Sequence, residues 1–252
     1  MQGQLKELEQ YWSNRAEGYS MVNQKELSGK QREKWLFYLR NHFPDKSPEE
    51  ISVLDIGTGP GFFAIIIKEA GYQVTAIDYT AEMLRHARKN AGVLADSITW
   101  MTMDAHHLNF DDNLFDVIVT RNLTWNLDEP YQAYREWYRV LKPGGTLLNF
   151  DANWYAYLFD EEKRRLYEKD RANVAKLNLE DQYTCTDIDT METLARNMPL
   201  SNIQRPAWDR DVLTSLGFSS IAIEEDMGDQ VYSFMERINN AATPLFCVQA
   251  YK

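Results

Sequence analysis

The sequence predicts an α/β protein, a doubly wound and mainly parallel sheet with helices on both faces. Three observations carry this. Short β-branched runs alternate with helix-length segments from residue 51 to residue 152. A glycine cluster, Gly57-Thr58-Gly59-Pro60-Gly61, joins the first of those runs directly to a helix. Carboxylates close the second and third runs, at Asp78 and Asp104.

Taken in order, the chain opens on two helical stretches, Gln4 to Tyr19 and Lys25 to Phe43, with Trp35, Phe37 and Leu39 set among charges. The prolines of PDKSPEE (44–50) break the second. ISVLDI then reads as a buried strand, and FFAIIIKEAGY as a helix ending at Gly71. QVTAID is the next strand, followed by a helix that Thr80 opens, with Glu82 in its first turn and Gly92 at its end. ITWMTMD and FDVIVTR are strands, EPYQAYREWYRVL is a helix stopping before KPGG, and TLLNFDA is a fifth strand. From Asn153 to about Arg205 the alternation is lost in an aromatic-rich, charged stretch, read as an insertion. The pattern returns with the helix in PAWDRDVLTSLGF, and SSIAIEE and PLFCVQAYK predict two last strands forming a hairpin.

A chain of 252 residues with 44% hydrophobic and 26% charged residues is long enough for a full core. Its net charge of −11 argues against nucleic acid and against an anionic membrane surface as partner. The polar start, MQGQLKELEQYW, offers no signal-peptide core, and no stretch approaches the roughly 20 apolar residues of a membrane span. Cys185 and Cys247 are too few for a disulfide framework. A cytoplasmic protein acting on a small molecule, as monomer or homodimer, is the expectation.

The glycine loop sits at a helix N-terminus, where free N–H groups and the helix dipole attract a polar ligand. Its spacing is G-x-G-x-G, with Phe62 where a dinucleotide fingerprint would have its third glycine, and it lacks a P-loop lysine. That suits a cofactor without phosphate, although a tight turn alone would also use glycines. Asp78, about twenty residues beyond Gly57, is placed to accept ribose hydroxyls, and Asp104 to accept from an adenine amino group. Arg121 and Asn122 reach the mouth of the fourth strand, so all these residues lie at carboxyl ends of parallel strands.

In this order, VLDIGTGPG, VTAIDYTAEML, MDAHHLNFDDNLFDVIV and REWYRVLKPGGTLLNFD resemble the class I S-adenosylmethionine-dependent methyltransferases, of the small-molecule "type 11" kind, over residues 51 to 151. The resemblance implies a Rossmann-like seven-stranded sheet with the last strand antiparallel. It implies S-adenosylmethionine as cofactor and S-adenosylhomocysteine as product. Asp55, Gly57, Thr58, Gly59 and Gly61 would face the methionine moiety, with Asn122 near it. Asp78 would take the ribose hydroxyls, Tyr79 and Met83 would bracket the adenine, and Asp104 with Ala105 and His106 would meet its edge. Trp12, Arg15 and Tyr19 recur at helical intervals and share one face; many relatives fold such a segment over the cofactor, and plain packing on the core would use the same stripe.

The loop after Asp104 departs from the usual D-A-E-x-L-P-F and reads DAHHLNF. No catalytic residue stands out; His106, His107, Asp151 and Tyr157 are the candidate bases, and no metal site is expected. Arg121, Trp125, Asn153, Trp154 and Tyr157 are the expected substrate-pocket residues, where aromatic walls would exclude water and face the sulfonium. The implied organisation is an N-terminal segment, 1–43, over the cofactor; a core of 44–152 and 206–252; and a cap of 153–205. The reaction is methyl transfer to an N, O, S or C atom. An NAD-linked oxidoreductase, a non-catalytic S-adenosylmethionine-binding module and an aminopropyl transferase are the alternatives.

Overall fold

The computed structural model describes residues 2–183 and 186–252, with side chains from residue 5; Cys185 lies outside the described residues. The helix α1 (Gln2–Ser28) is followed by α2 (Gln31–His42), and neither belongs to the alternating part of the chain. The alternation then runs β1 (Ser52–Ile56), α3 (Phe62–Glu69), β2 (Gln73–Asp78), α4 (Ala81–Ala91), β3 (Thr99–Thr102), β4 (Phe115–Arg121), α5 (Pro130–Val140) and β5 (Leu141–Asp151). Next come α6 (Glu161–Lys176), α7 (Ile188–Ala195), α8 (Ala207–Leu216), β6 (Ser220–Glu224), α9 (Gly228–Val231), α10 (Phe234–Asn239) and β7 (Phe246–Tyr251).

The seven strands form one sheet in the order β3-β2-β1-β4-β5-β7-β6. The first five pair in parallel, and β7 runs antiparallel between β5 and β6. This is the predicted architecture, and the strand order reverses at β1, so ligands belong at the carboxyl ends of β1 and β4. Two apolar layers hold the sheet. Trp35, Phe62, Phe63 and Phe150 pack on one face, and Leu54, Ile118, Tyr134 and Trp137 on the other, all nearly inaccessible to water. Each such side chain contributes roughly 1.5–3 kcal/mol. A third cluster, with Leu8, Tyr11, Trp125, Met191 and Met198, joins α1 to the segment after β5.

Two expectations need correction. The predicted break between Tyr19 and Lys25 does not exist, because α1 continues to Ser28. Its buried positions there are polar: Ser20 bonds Asn90 across to α4, and Asn23 donates to Glu26, so the helix face carries no apolar period. The last two strands pair antiparallel, from Ser220 opposite Tyr251 to Glu224 opposite Cys247, but they form no tight hairpin. Residues 225–245 carry α9 and α10 instead, and a capping box between Ser233 and Glu236 starts the second.

Candidate active site

The carboxyl ends of β1, β2 and β4 and the loop after β3 open into a cavity of about 370 Å³, with α1 across it. Such a volume falls in the range of small-molecule sites. The glycine loop shapes its floor. Gly57, Thr58 and Gly59 line the cavity, and Gly61 does not. Gly61 has φ +91°, and a Cβ there would lie 3.0 Å from Ala87 Cβ and 3.3 Å from the Trp100 ring. Its place facing a ligand is therefore corrected: it is the packing glycine that lets α3 approach α4 and β3, the task a third fingerprint glycine performs elsewhere.

Two strand-end carboxylates are locked by the loop. Asp78 accepts from the Gly59 amide (2.9 Å) on one oxygen and from the Thr80 amide (2.8 Å) on the other. Burial pushes its carboxyl up to about 6, against the pull of those two amides. Asp55 accepts from Thr58 Oγ1 (2.6 Å) and the Ala64 amide (3.0 Å), and burial carries it up to about 7. Both line the cavity. Asp104, also on the wall, accepts from the His106 amide (2.9 Å) and from His106 Nδ1 (2.6 Å) on the same oxygen. Burial pushes its carboxyl up, but these two bonds outweigh it and hold it below the usual range.

Across from the loop, Trp12, Arg15 and Tyr19 all face the cavity from α1. Arg15 finds no hydrogen-bond partner among the described residues. Trp12 Nε1, Asn122 Oδ1 and Asn126 Oδ1 are buried without a partner, and all three residues line this one cavity. An orphaned buried polar group costs about 1–3 kcal/mol, so a ligand presenting both donors and acceptors would satisfy all three. Tyr79, Met83, Ala105 and His106 complete the predicted cofactor residues on the wall; Met83 is mostly engaged in packing, at 2% exposure.

The base candidates fare differently. His106 reaches the wall as a strut: Nδ1 is held by Asp104 and Nε2 lies 3.3 Å from Asp128, leaving no ring nitrogen free. His107 is exposed and lies off the cavity. Asp151 is fully buried, off the cavity, and saturated by the Trp125 amide (2.8 Å), the Ala152 amide (2.9 Å), Trp154 Nε1 (3.0 Å) and Arg205 Nη1 (2.5 Å). Tyr157 bonds Glu192 (2.9 Å) and stacks on Tyr167 at 4.0 Å, with burial raising its hydroxyl far above the usual range. None of the four stands at the cavity wall with an unengaged basic atom.

Of the expected pocket residues, Arg121, Trp125 and Trp154 face the cavity; Asn153 and Tyr157 do not. Asn153 is spent on the Arg205 backbone, at 2.9 Å and 3.3 Å. Arg121 forms a two-pronged ion pair with Glu26 (2.8 and 3.0 Å) and lies over the Phe62 ring at 4.6 Å. The wall also holds Glu26, Asn126, Tyr155, Tyr183, Tyr232 and Glu236, which the sequence reading missed. Two had a legible signal: Glu26 continues the Trp12–Arg15–Tyr19 stripe at helical spacing, and Ser233-x-x-Glu236 is a capping-box pattern. Among the described residues no group of three His, Cys, Asp or Glu is placed to hold a metal, and no helix is long and apolar enough to cross a membrane.

Residues 54–149 match the protein-family model described as "Methyltransferase domain". A ubiquinone/menaquinone biosynthesis C-methyltransferase of Ruegeria sp. is 36% identical over 126 residues, 48% of this chain and 49% of that protein. The chain thus spans about half the length of the curated relatives it matches. Among solved structures, a Methanococcus maripaludis protein aligns with a TM-score of 0.62 and 22% identity, over 95% of this chain and 93% of that one. The geranyl diphosphate C-methyltransferase of Streptomyces coelicolor, solved with S-adenosyl-L-homocysteine, aligns with a TM-score of 0.59 and 14% identity, over 86% and 78%. At these identities the structural likeness bears on the fold.

Proposed function

We propose that this protein, which carries a class I S-adenosylmethionine-dependent methyltransferase domain, moves the methyl group of S-adenosylmethionine to a small-molecule acceptor held in the same cavity. The observation that carries the reading is that Asp78, fixed by the Gly59 amide, and the orphaned polar atoms of Trp12 and Asn122 line one and the same cavity.

The residues fit the cofactor. Asp78 offers its remaining lone pairs to two ribose hydroxyls, and Asp104 with Ala105 meets the adenine edge. Arg15 and Trp12 Nε1 suit the methionine carboxylate, and Asn122 Oδ1 suits its ammonium. When bound, S-adenosylmethionine supplies an activated methyl on a sulfonium that is its own leaving group. The chain then contributes orientation and a dry, aromatic-walled cavity. This is consistent with none of the four base candidates standing free at the wall. In this reading residues 1–43 and 153–205 act as covers over the core, and the enzyme works in the cytoplasm as a monomer or homodimer. Neither the matched domain nor the relatives favour an NAD-linked reaction.

Titration calorimetry with S-adenosylhomocysteine tests this. Wild type binds it, and Asp78→Ala weakens binding at least about tenfold, the loss of a charge-assisted hydrogen bond. Unchanged affinity in the variant would sink the ribose assignment, and no binding by wild type would sink the reading itself.

A further inference from the structure

The end of the cavity away from the adenine-edge residues is electrostatically one-sided. Its basic wall residues are Arg15, Lys25 and Arg121. Arg121 is bound by both oxygens of Glu26, and Lys25 pairs with Glu180 at 3.0 Å. Arg15, on α1 with Trp12 and Tyr19, is the one assigned above to the cofactor carboxylate. Among the described residues of the wall, no unpaired cation is left to receive an anionic acceptor.

A carboxylate does remain. Glu236, at the start of α10, accepts on Oε2 from the Ser233 amide (2.7 Å), Ser233 Oγ (2.7 Å) and Gln31 Nε2. Oε1 takes part in none of these bonds, and the residue lines the cavity. Glu26 has no such spare oxygen, because Arg121 Nη1 and Nη2 donate to Oε1 and Oε2, and Asn23 Nδ2 also donates to Oε2 at 3.0 Å. Burial and the charge of Glu26 both push the Glu236 carboxyl up, against the Ser233 bonds and Arg121, so an incoming positive charge gains from being there. Tyr232, four residues earlier, feels the charge of Glu236, and Tyr232, Tyr155 and Trp154 all line the same cavity. A carboxylate on the wall of an aromatic-lined cavity suits an organic ammonium.

We propose that the acceptor is an amine that docks as its ammonium at Glu236, gives up one proton to that carboxylate so that the nitrogen lone pair can take the methyl as the methyl–sulfonium bond breaks, and lays its apolar body against the aromatic lining of Tyr232, Tyr155 and Trp154. This rests on the methyl-transfer reading and narrows it: carboxylate and phosphate acceptors are turned away by the same residue. Glu236 is thus a specificity-determining side chain supplied by the segment between the last two strands.

The test uses three compounds with one phenolic body: tyramine, 4-ethylphenol and 4-hydroxyphenylacetate. Wild-type protein is first saturated with S-adenosylhomocysteine, then titrated with each by calorimetry. Tyramine binds at least about tenfold more tightly than 4-ethylphenol, and 4-hydroxyphenylacetate binds most weakly. In Glu236→Gln the preference for tyramine falls to within about twofold while S-adenosylhomocysteine affinity stays unchanged. The proposal is overturned if tyramine does not bind, if 4-hydroxyphenylacetate binds as tightly, or if the preference survives in Glu236→Gln. The wild-type ranking stands as a test whether or not the variant folds. Failure of S-adenosylhomocysteine to bind would instead overturn the methyl-transfer reading, and this proposal with it.

Discussion

The two ends of the cavity are built in different ways. At the glycine loop, each carboxylate is held by partners within about twenty residues of chain, mostly backbone amides: Asp78 by the amides of Gly59 and Thr80, Asp55 by Thr58 Oγ1 and the Ala64 amide, Asp104 by the amide and ring of His106. At the far end the contacts span the chain. Arg121 meets Glu26 across 95 residues and Gln31 meets Glu236 across 205, while behind the aromatic wall Arg205 meets Asp151 across 54. The first end is a property of the strand-turn-helix unit, and the second is a property of the assembled fold.

The buried group Arg205–Asp151–Asp209 gives the largest expected effect. Arg205 Nη1 holds Asp151, and its Nε and Nη2 hold Asp209, with all three side chains essentially inaccessible to water. Asp151 in turn anchors the Trp125 amide and the Trp154 ring, the aromatic walls of the cavity. Arg205→Met leaves two buried carboxylates uncompensated and should cost about 3–5 kcal/mol in chemical denaturation. A loss below about 1 kcal/mol would show that these walls do not depend on the network.

Gly61→Ala should come next. The added methyl meets Ala87 in a backbone conformation with φ +91°, and a loss of roughly 1–3 kcal/mol is expected, with S-adenosylhomocysteine affinity of the folded fraction retained. Weakened affinity at full folding would return Gly61 to the ligand-facing part of the loop.

The protonation of Asp55 and Asp78 sharpens the comparison from the other side. Both carboxyls are raised in the free protein, to about 7 and about 6, so the stability they contribute is fully present below the ordinary pKa near 4 and is lost as pH rises through those values. A ligand bringing hydroxyl and ammonium donors favours their ionised forms. Binding of S-adenosylhomocysteine should therefore tighten between about pH 5.5 and 8, with proton release near pH 6.5 that vanishes above about pH 8. Calorimetry in buffers of different ionisation enthalpy measures this; proton uptake, or none, would contradict the placement. The smallest effect belongs to Tyr157→Phe, which loses one hydrogen bond to Glu192 away from the cavity. It should cost about 0.5–1.5 kcal/mol of stability and leave ligand affinity unchanged, whereas a changed affinity would return Tyr157 to the site.

The same contrast decides what could be read from the sequence. The alternation of strands and helices, the sheet class and most of the carboxylate rim followed from residues close together in the chain. Asp151 looked like a base because its place at the end of a strand is visible in the sequence, while its partner Arg205 is not. His106 looked like a base because the sequence shows the ring and not the Asp104 and Asp128 carboxylates that fix both nitrogens. Glu26 was within reach, three turns beyond Arg15 on the same stripe, but the buried polar residues Ser20 and Asn23 hid the continuation of α1. Glu236 lay in a stretch read as a turn because both neighbouring strands were so clear. For Asp151 the missing information was a long-range side-chain contact, and for His106 it was the local geometry that turns the ring onto Asp104 and Asp128.

A crystal structure of the protein with S-adenosylhomocysteine would test the central claim most directly. The ribose hydroxyls should lie on Asp78, the adenine at Asp104 and Ala105, and the carboxylate end against Arg15 and Trp12, with the sulfur facing the Glu236 end of the cavity. Density for the ligand outside this cavity, or with its ribose away from Asp78, would contradict the account.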